Sequence, residues 1–256
     1  MTPEVAGALA LALGGDRSSE ERTSSLLALG DYLGDDDAVV AVAAAARGEE
    51  DARVRAVLLQ LVAKADADQL ARLPEALEVV GRISALDPET GVRLLANRVL
   101  SRVASAYPGA WDIVAENLVY DLDPGVQAAC LAALATCTRP GPQLAERLVA
   151  FAAEVPPSLR RPLVDLYRLL PRPALEAGAV ALLDPLESEA VRRDVLGALA
   201  GLPSLSPATV AALAWYLQAE QLPELRQQAV ELLSEGTRAT PELLADVLAA
   251  VLATPE

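Results

Sequence analysis

The amino-acid sequence predicts an all-α protein folded as a right-handed α–α superhelix, with about seven helix pairs and a C-terminal capping helix. This prediction rests on an apolar composition poor in rings, on a short motif that recurs at near-equal steps, and on helix-start residues between its copies. Hydrophobic residues make up 53% of the 256 residues, whereas aromatic residues make up only 3%. A core of this kind must be built from Ala, Leu and Val. Ala and Leu favour helix, and small side chains let helices approach closely.

The recurring motif is an aliphatic residue followed by Arg or Gln, with further aliphatic residues four, five, seven or eight positions later. This spacing places the apolar residues on one face of a helix. Seven copies begin at Arg22 (a degenerate copy), Val54, Val92, Val126, Leu159, Val191 and Leu225. The steps of 32 to 38 residues between them indicate a two-helix repeat in which each copy is the second helix of a pair.

The first helices of the pairs are predicted between these copies. Their expected ranges are 3–13, 36–47, 67–84, 109–119, 142–153, 173–183 and 207–219, and a last helix near 241–253 caps the end. Pro74 falls inside the third range, so that helix is predicted to be long and kinked. Five predicted starts pair a capping side chain with a following proline, namely Thr2-Pro3, Asp87-Pro88, Asp123-Pro124, Ser206-Pro207 and Thr240-Pro241. Residues 1–256 are expected to form a single repeat domain.

One form of the motif carries a family resemblance. Asp51, Val54 and Arg55 form an Asp–x–x–Val–Arg element, with echoes at Asp123/Val126 and Val191/Arg192. This element resembles the second helix of HEAT repeats, in particular the bacterial HEAT-like repeats related to the phycobilisome lyase group. The resemblance covers almost the whole chain and is specific for architecture rather than function. It implies that the Asp and the Arg link neighbouring repeats. Gln127 stands in place of Arg in the fourth copy, and the first copy lacks the Val–Arg pair.

Composition argues against several classes of function. The chain carries 36 acidic and 21 basic residues, a net charge of −15, whereas nucleic-acid binders need a basic footprint. It has no histidine, so histidine-based catalytic triads and the usual zinc sites are excluded. Phosphate-binding, dinucleotide-binding and nucleophile-elbow motifs are absent. No enzymatic activity, cofactor or metal is therefore expected.

Two clusters allow a chemical interpretation and a structural one. Cys130 and Cys137 share one face of a second helix. They could form a redox pair or half a metal site, or they could be buried small hydrophobic residues. We expect the last, which is the usual state of free cysteine. The acidic run 35–37 suits either a divalent cation or a helix cap with a matched first turn, and we expect the cap.

The cellular location and the oligomeric state are predicted from other features of the sequence. Residues 195–219 carry no charge and are long enough to span a membrane, but Pro203 and Pro207 predict a turn between two helices instead. The first residues lack a basic region typical of a signal peptide, so a cytoplasmic protein is expected. The capping helix favours a monomer, and an exposed first pair leaves a weak dimer open.

The candidate binding residues lie where second helices normally line the concave side of such a solenoid. They are Gln60, Arg98, Arg102, Arg161, Asp165, Arg193, Gln227 and Glu231, with Trp215 as a candidate anchor on a first helix. Along the chain this row changes from neutral and basic to acidic, which suits a groove that binds a partner helix or peptide. The alternative is that they are merely exposed polar positions. Trp215 is either exposed or packed against the terminal helix.

These patterns predict a non-catalytic protein–protein interaction scaffold or adaptor, with a partner segment bound on the concave face. A toxin-neutralising protein is one form, because an acidic binder suits a basic partner. A HEAT-like enzyme or chromophore-lyase helper is a second hypothesis. A nucleic-acid binder is a third, since Arg93, Arg98 and Arg102 form a basic stripe.

Overall fold

The computed structural model describes residues 3–14, 16–137 and 142–239, which form α-helices and short connections without a β-strand. Contacts divide the chain into two compact units, Met1–Cys137 and Thr138–Glu256. The expectation of a single repeat domain over residues 1–256 stays a prediction. The predicted capping helix near 241–253 lies outside the described residues.

Four helix pairs make up the first unit. They are α1 (Pro3–Leu13) with α2 (Ser19–Leu27), α3 (Asp36–Gly48) with α4 (Ala52–Val62), α6 (Pro74–Leu86) with α7 (Thr90–Val103), and α8 (Gly109–Tyr120) with α9 (Pro124–Leu134). A short helix, α5 (Ala67–Ala71), precedes α6, and a 3-10 turn, Ala28–Tyr32, follows α2. The second helices α2, α4, α7 and α9 pack successively against one another, and so do the first helices α3, α6 and α8. The unit therefore has two layers, one of first helices and one of second helices.

Three pairs make up the second unit. They are α10 (Pro142–Phe151) with α11 (Arg160–Tyr167), α12 (Arg172–Ala181) with α13 (Glu189–Ala200), and α14 (Pro207–Ala219) with α15 (Pro223–Ala239). A 3-10 turn, Pro157–Leu159, leads into α11. Again the second helices α11, α13 and α15 pack in sequence, and α12 packs against both α10 and α14. The described residues thus contain the seven predicted helix pairs of an all-α solenoid.

Helix starts show where the sequence prediction was correct and where it was wrong. The Asp123 carboxylate accepts from the Gly125 and Val126 amides at 2.8 and 3.2 Å, and Ser206 accepts from the Thr209 amide at 3.3 Å, as predicted for caps before proline. The start at Asp87-Pro88 was wrong, because α7 begins at Thr90. The carboxylate of Asp87 is bound instead by an arginine from the preceding pair.

The single kinked helix predicted over residues 67–84 was also wrong. Pro74 occupies the first position of a new helix, α6, and Leu73 before it has the non-helical angles φ −114° and ψ 73°. A proline clashes with the helical conformation of the residue before it, so the chain leaves α5 before reaching Pro74. The result is two helices, α5 and α6, that pack against each other.

The cores contain few large side chains, and their helices pack closely. Tyr167 is fully buried and donates its hydroxyl to the Leu148 carbonyl at 2.7 Å. Its ring lies over Gly178, where an added Cβ would clash with the ring carbons. The glycine therefore makes room for one of the few rings in this core.

Buried and half-buried arginines connect successive helix pairs. Arg55 on α4 binds both carboxylate oxygens of Asp87, in the loop of the next pair, at 2.7 and 3.0 Å. Its remaining nitrogen donates to the Glu50 carbonyl in the loop of its own pair at 2.8 Å. Arg93 on α7 repeats this geometry, with Asp121 at 2.7 and 2.9 Å and the Asp87 carbonyl at 3.0 Å. Each guanidinium thus joins two loops, as the forked shape of arginine allows.

An ion pair from the same position of the repeat to a carboxylate of the next pair recurs in both units, with one interruption. The pairs are Arg22–Glu49 in the first unit, and Arg160–Glu187 and Arg192–Glu220 in the second. The first copy therefore supplies its arginine although it lacks the Val–Arg pair. Gln127 differs, because its amide donates to the Leu118 carbonyl of its own pair at 3.2 Å. This pair is the last one of the first unit.

We expect Arg55→Leu to lower the free energy of unfolding by about 3–5 kcal/mol, because Asp87 would be left buried without its partner. Arg53→Leu is the matched control. Arg53 lies two residues away, is exposed and has no ion pair with a described residue, so its replacement should change stability by only about 0.5 kcal/mol. Denaturant titration measures both, and equal effects would contradict a structural role for the buried link.

Glu176 provides a comparable link between first helices in the second unit. It lies on α12, is 5% exposed, and accepts from the Ser206 amide at 2.7 Å and from the Thr209 hydroxyl at 2.6 Å at the start of α14. Burial alone would raise the pKa of Glu176, but these bonds, with one from Arg172, lower it to about 2. The ionised form therefore stabilises the contact between α12 and α14.

This shift predicts a pH dependence. The folded pKa lies below the ordinary value of 4.5, so the stabilisation is present above pH 4.5 and is lost as the pH falls towards 2. Between these values the wild type should lose about 3 kcal/mol more stability than Glu176→Gln, since the glutamine cannot titrate. Denaturant titrations at several pH values compare the two proteins. Parallel pH profiles would show that Glu176 does not carry this effect.

Candidate interaction surface

A groove runs between α4 and α7 in the first unit, and we call it the α4–α7 groove. It encloses about 480 Å³ and is lined by Ala52, Arg53, Ala56, Gln60, Glu89, Gly91, Val92, Leu94, Leu95 and Arg98. Partly buried Ala56, Leu94 and Leu95 provide apolar surface, whereas Gln60 and Arg98 are exposed on the α4 and α7 sides. The structure therefore brings together two of the residues predicted from their register in the repeat.

The arginines on these two helices fall into different groups. The side chains of Arg53 and Arg98 are exposed and form no hydrogen bond or ion pair with any residue that the structure describes. Arg102 is also exposed, but its guanidinium donates to the Ala63 carbonyl and, at 3.3 Å, to the Ala65 carbonyl. It therefore binds the C-terminal end of α4, where carbonyls lack helical partners. Arg53 and Arg98 remain available to a partner.

Gly91 keeps one end of this groove open. It is exposed in the first turn of α7, and a Cβ added there would meet no atom within 4 Å. Sequence reasoning missed both Gly91 and Arg53. Its candidates on second helices all follow the aliphatic residue that begins each copy of the motif, whereas Gly91 and Arg53 lie just before that residue. The lining of the groove also involves the position two residues before the buried arginine, which both of them occupy in their repeats.

In the second unit, the predicted charged residues are exposed but already paired. Arg161 on α11 binds Asp194 on α13 at 2.6 Å, and Arg193 on α13 binds Glu224 on α15 at 3.3 Å. These pairs connect successive second helices. Being exposed, they contribute little stability, but they occupy the guanidinium groups.

The remaining predicted residues of this unit are bonded within their own helices. Asp165 accepts from Arg168 at 3.0 Å, and Gln227 donates to Glu231 at 3.0 Å. All five predicted second-helix residues of the second unit therefore have a protein partner.

A pocket of about 280 Å³ lies between α13 and α15. Its lining includes Gly197, Gln228, Glu231 and Glu235. Gly197 leaves space, since an added Cβ would have only Arg168 within 4 Å, at 3.7 Å. The side-chain oxygen of Gln228 is buried and has no hydrogen-bond partner among the described residues. The polar groups that this pocket offers are mainly acceptors, in contrast to the α4–α7 groove.

Trp215 lies apart from these second helices. It is 60% exposed on α14, a first helix, whereas Leu213 and Leu217 on the same helix are buried. Trp215 is thus exposed among the described residues, and its role as an anchor stays a prediction. Packing against the helix near 241–253 concerns a segment outside the described residues.

The two cysteines and the acidic run 35–37, which also allowed a chemical interpretation, have structural surroundings. Cys130 and Cys137 are both buried, and burial raises the pKa of the Cys130 thiol to about 12. The Asp35 carboxylate accepts from the Asp37 amide at 3.1 Å as the cap of α3. In the part of the chain that the structure describes, no three metal-binding side chains gather.

The charge-free stretch 195–219 folds as a helical hairpin, with α13 ending at Ala200 and α14 starting at Pro207. This confirms the turn predicted from its prolines. No helix in the described ranges combines the length and the apolar character needed to cross a membrane.

Comparisons with known proteins identify the fold. No protein-family model and no curated protein matches the chain. A crystal structure of an archaeal HEAT-like repeats protein from Thermococcus onnurineus NA1 is similar, with a TM-score of 0.51 and 15% sequence identity over 93% of this chain and 98% of that one. At this identity the likeness concerns the fold alone. The chain has a HEAT-like repeat fold, as the Asp–x–x–Val–Arg elements indicated.

Both cysteines should resist labelling in the folded protein. The Cys130 thiol, whose pKa is raised to about 12, is almost entirely protonated at pH 8, and burial blocks access to both cysteines. We expect a thiol reagent to react at least about 100-fold more slowly with the native protein than with the protein in denaturant. Rapid native labelling of Cys130, seen by intact-mass analysis of Cys137→Ala, would support a reactive cysteine instead.

Proposed function

We propose that this protein is a non-catalytic interaction scaffold that holds a segment of a partner protein along its second helices. The α4–α7 groove carries this proposal, because it combines partly buried Leu94 and Leu95 with exposed Gln60 and Arg98. Apolar surface provides affinity for an inserted side chain, and unpaired polar groups around it select the sequence of the segment.

The rest of the first unit suits this role. Buried Arg55 and half-buried Arg93 each join two loops and so fix the spacing of α4, α7 and α9. A groove between helices held in this way is already formed before a partner binds, which lowers the entropic cost of association. Stacked repeats commonly use such an extended face for binding.

The competing functions lack comparable support. Cys130 is buried with a raised pKa, which opposes thiol chemistry in a lyase-like role. The basic stripe proposed for nucleic acid is divided, since Arg93 is bound to Asp121 and Arg102 to backbone carbonyls. A cytoplasmic protein, active as a monomer or a weak dimer, remains part of our proposal.

Site-specific crosslinking tests the location of the partner. A photoreactive amino acid replacing Gln60 should capture the protein that wild type enriches from the source lysate. The same group replacing Glu78, which is exposed on first helix α6, should capture it at least about tenfold less. Equal capture from both positions would contradict binding along the second helices.

Gly91 allows a steric test with a matched control. Gly91→Trp should block the groove and lower the enrichment of this protein at least about tenfold, whereas Gly91→Ala adds a Cβ into open space and should leave it unchanged. Thermal unfolding verifies that both variants fold. If folded Gly91→Trp enriches the partner protein as well as wild type does, the α4–α7 groove is excluded as the principal binding site.

A further inference from the structure

We propose that the α4–α7 groove binds an acidic amphipathic segment of its partner, with carboxylates on Arg53 and Arg98 and apolar side chains on Leu94 and Leu95. This inference rests on the function proposed above and specifies the chemistry of the partner. It departs from the expectation that an acidic protein selects a basic partner.

The first support is the distribution of carboxylates. Although the chain has 36 acidic residues, the second helices α4, α7 and α9 contain none. The second helices of the second unit do contain them, namely Asp165 on α11, Glu189 and Asp194 on α13, and Glu224, Glu231 and Glu235 on α15. Apart from α2, which contains Glu20 and Glu21, the second helices of the first unit therefore carry no negative charge within a strongly acidic chain.

The second support is the pairing state of the arginines. Arg161 and Arg193 in the second unit are neutralised by Asp194 and Glu224 of neighbouring helices. Arg53 and Arg98 have no carboxylate within ion-pair distance among the described residues, although both line one groove. Glu89 is the only carboxylate in the lining, and it pairs with neither of them. The groove thus offers two unneutralised guanidinium groups to a ligand, and carboxylates are their natural partners.

The spacing of these groups defines the segment. Arg98 and Gln60 occupy the same register position in successive repeats, and Arg53 precedes Gln60 by seven residues on α4. Seven residues of helix correspond to about 10 Å along the groove. Carboxylates separated by seven residues on a partner helix span this distance. Leucines on the same face of that helix would contact Leu94 and Leu95 between the two arginines.

A protein segment fits this surface better than a nucleic acid does. Helices α4, α7 and α9 contain no aromatic residue, so the stacking platform of single-strand binders is missing. Only two unpaired arginines line the groove, and partly buried Leu94 and Leu95 line it with them. Phosphate backbones need a wider basic footprint, and the chain as a whole repels them with a net charge of −15.

Designed peptides test the inference directly. The probe is a helical peptide with two glutamates seven residues apart and leucines on the same face. Its matched versions carry glutamine or lysine in place of the two glutamates, and a single-stranded oligonucleotide serves as a fourth ligand. Fluorescence anisotropy with the full chain should show the glutamate peptide binding at least about tenfold more tightly than each of the others, with affinity falling as salt rises.

Charge reversal on the protein locates the contact. Arg98→Glu should weaken binding of the glutamate peptide at least about tenfold, and Arg98→Gln should have a smaller effect of the same sign. Arg82→Glu is the control, because Arg82 is an exposed arginine on first helix α6 of the same pair and also lacks an ion pair with described residues. It should change affinity less than about twofold. Thermal unfolding confirms that each variant is folded.

Several outcomes would overturn the inference. One is that the glutamine peptide, the lysine peptide or the oligonucleotide binds as tightly as the glutamate peptide or more tightly. Another is that Arg98→Glu and Arg82→Glu weaken binding equally. The third is that the glutamate peptide does not bind at concentrations up to about 1 mM. If Gly91→Trp still prevents binding of the natural partner, the groove binds a segment of different charge and only this inference fails. If crosslinking from Gln60 captures no partner, the proposed function fails as well.

Discussion

A guanidinium that binds two loops at once sets the relation between successive helix pairs of the first unit. Arg55 holds a carboxylate of the next pair with two nitrogens and a carbonyl of its own pair with the third. A lysine has no such fork and cannot reach both loops with comparable geometry. Because one helix pair cannot bury its apolar face alone, this link acts together with the Leu- and Ala-rich layers to fix each pair against the next. The grooves between second helices follow from that spacing.

The same residue type therefore has two roles, which burial distinguishes. Arg55 and Arg93 in the loop-joining position are buried and half-buried, and each is neutralised by a carboxylate, so they contribute to cohesion rather than to a surface open to a partner. Arg53 and Arg98 lie on neighbouring positions of the same helices but face solvent without a carboxylate. The net charge of −15 averages over these groups and is a poor guide to partner chemistry. Local charge at the proposed binding surface, rather than total charge, would determine which segments it attracts.

Most of the fold could be predicted from the sequence, because the spacing of apolar residues reveals the repeat. Near-equal steps between apolar helical faces predicted seven pairs, and the ranges 36–47 and 207–219 agree closely with Asp36–Gly48 and Pro207–Ala219. Errors arose where one residue type serves two purposes. Asp87 resembles a helix cap before proline, but its carboxylate is held by Arg55 from another pair. Pro74 resembles a kink and instead starts a new helix.

The candidate surface could be predicted only in part. Register alone placed Gln60 and Arg98 on exposed positions of second helices, where the structure has them. Register does not reveal whether a charge is neutralised, because the partner lies about one repeat away in sequence. Arg161 and Asp194 illustrate this, since they are separated by 33 residues and joined by a bond of 2.6 Å. The acid-free sequences of α4, α7 and α9 were visible from the start, but their meaning required knowing that these helices share one layer.

A double-mutant cycle on Arg55 and Asp87 tests most directly whether the buried link joins the helix pairs. The cycle compares the unfolding free energies of wild type, Arg55→Met, Asp87→Ala and the double variant, measured with denaturant. If the guanidinium and the carboxylate act as one unit, the two single changes should be strongly non-additive, with a coupling energy of about 2–3 kcal/mol. A coupling energy below about 0.5 kcal/mol would show that the two groups act independently and would contradict the account.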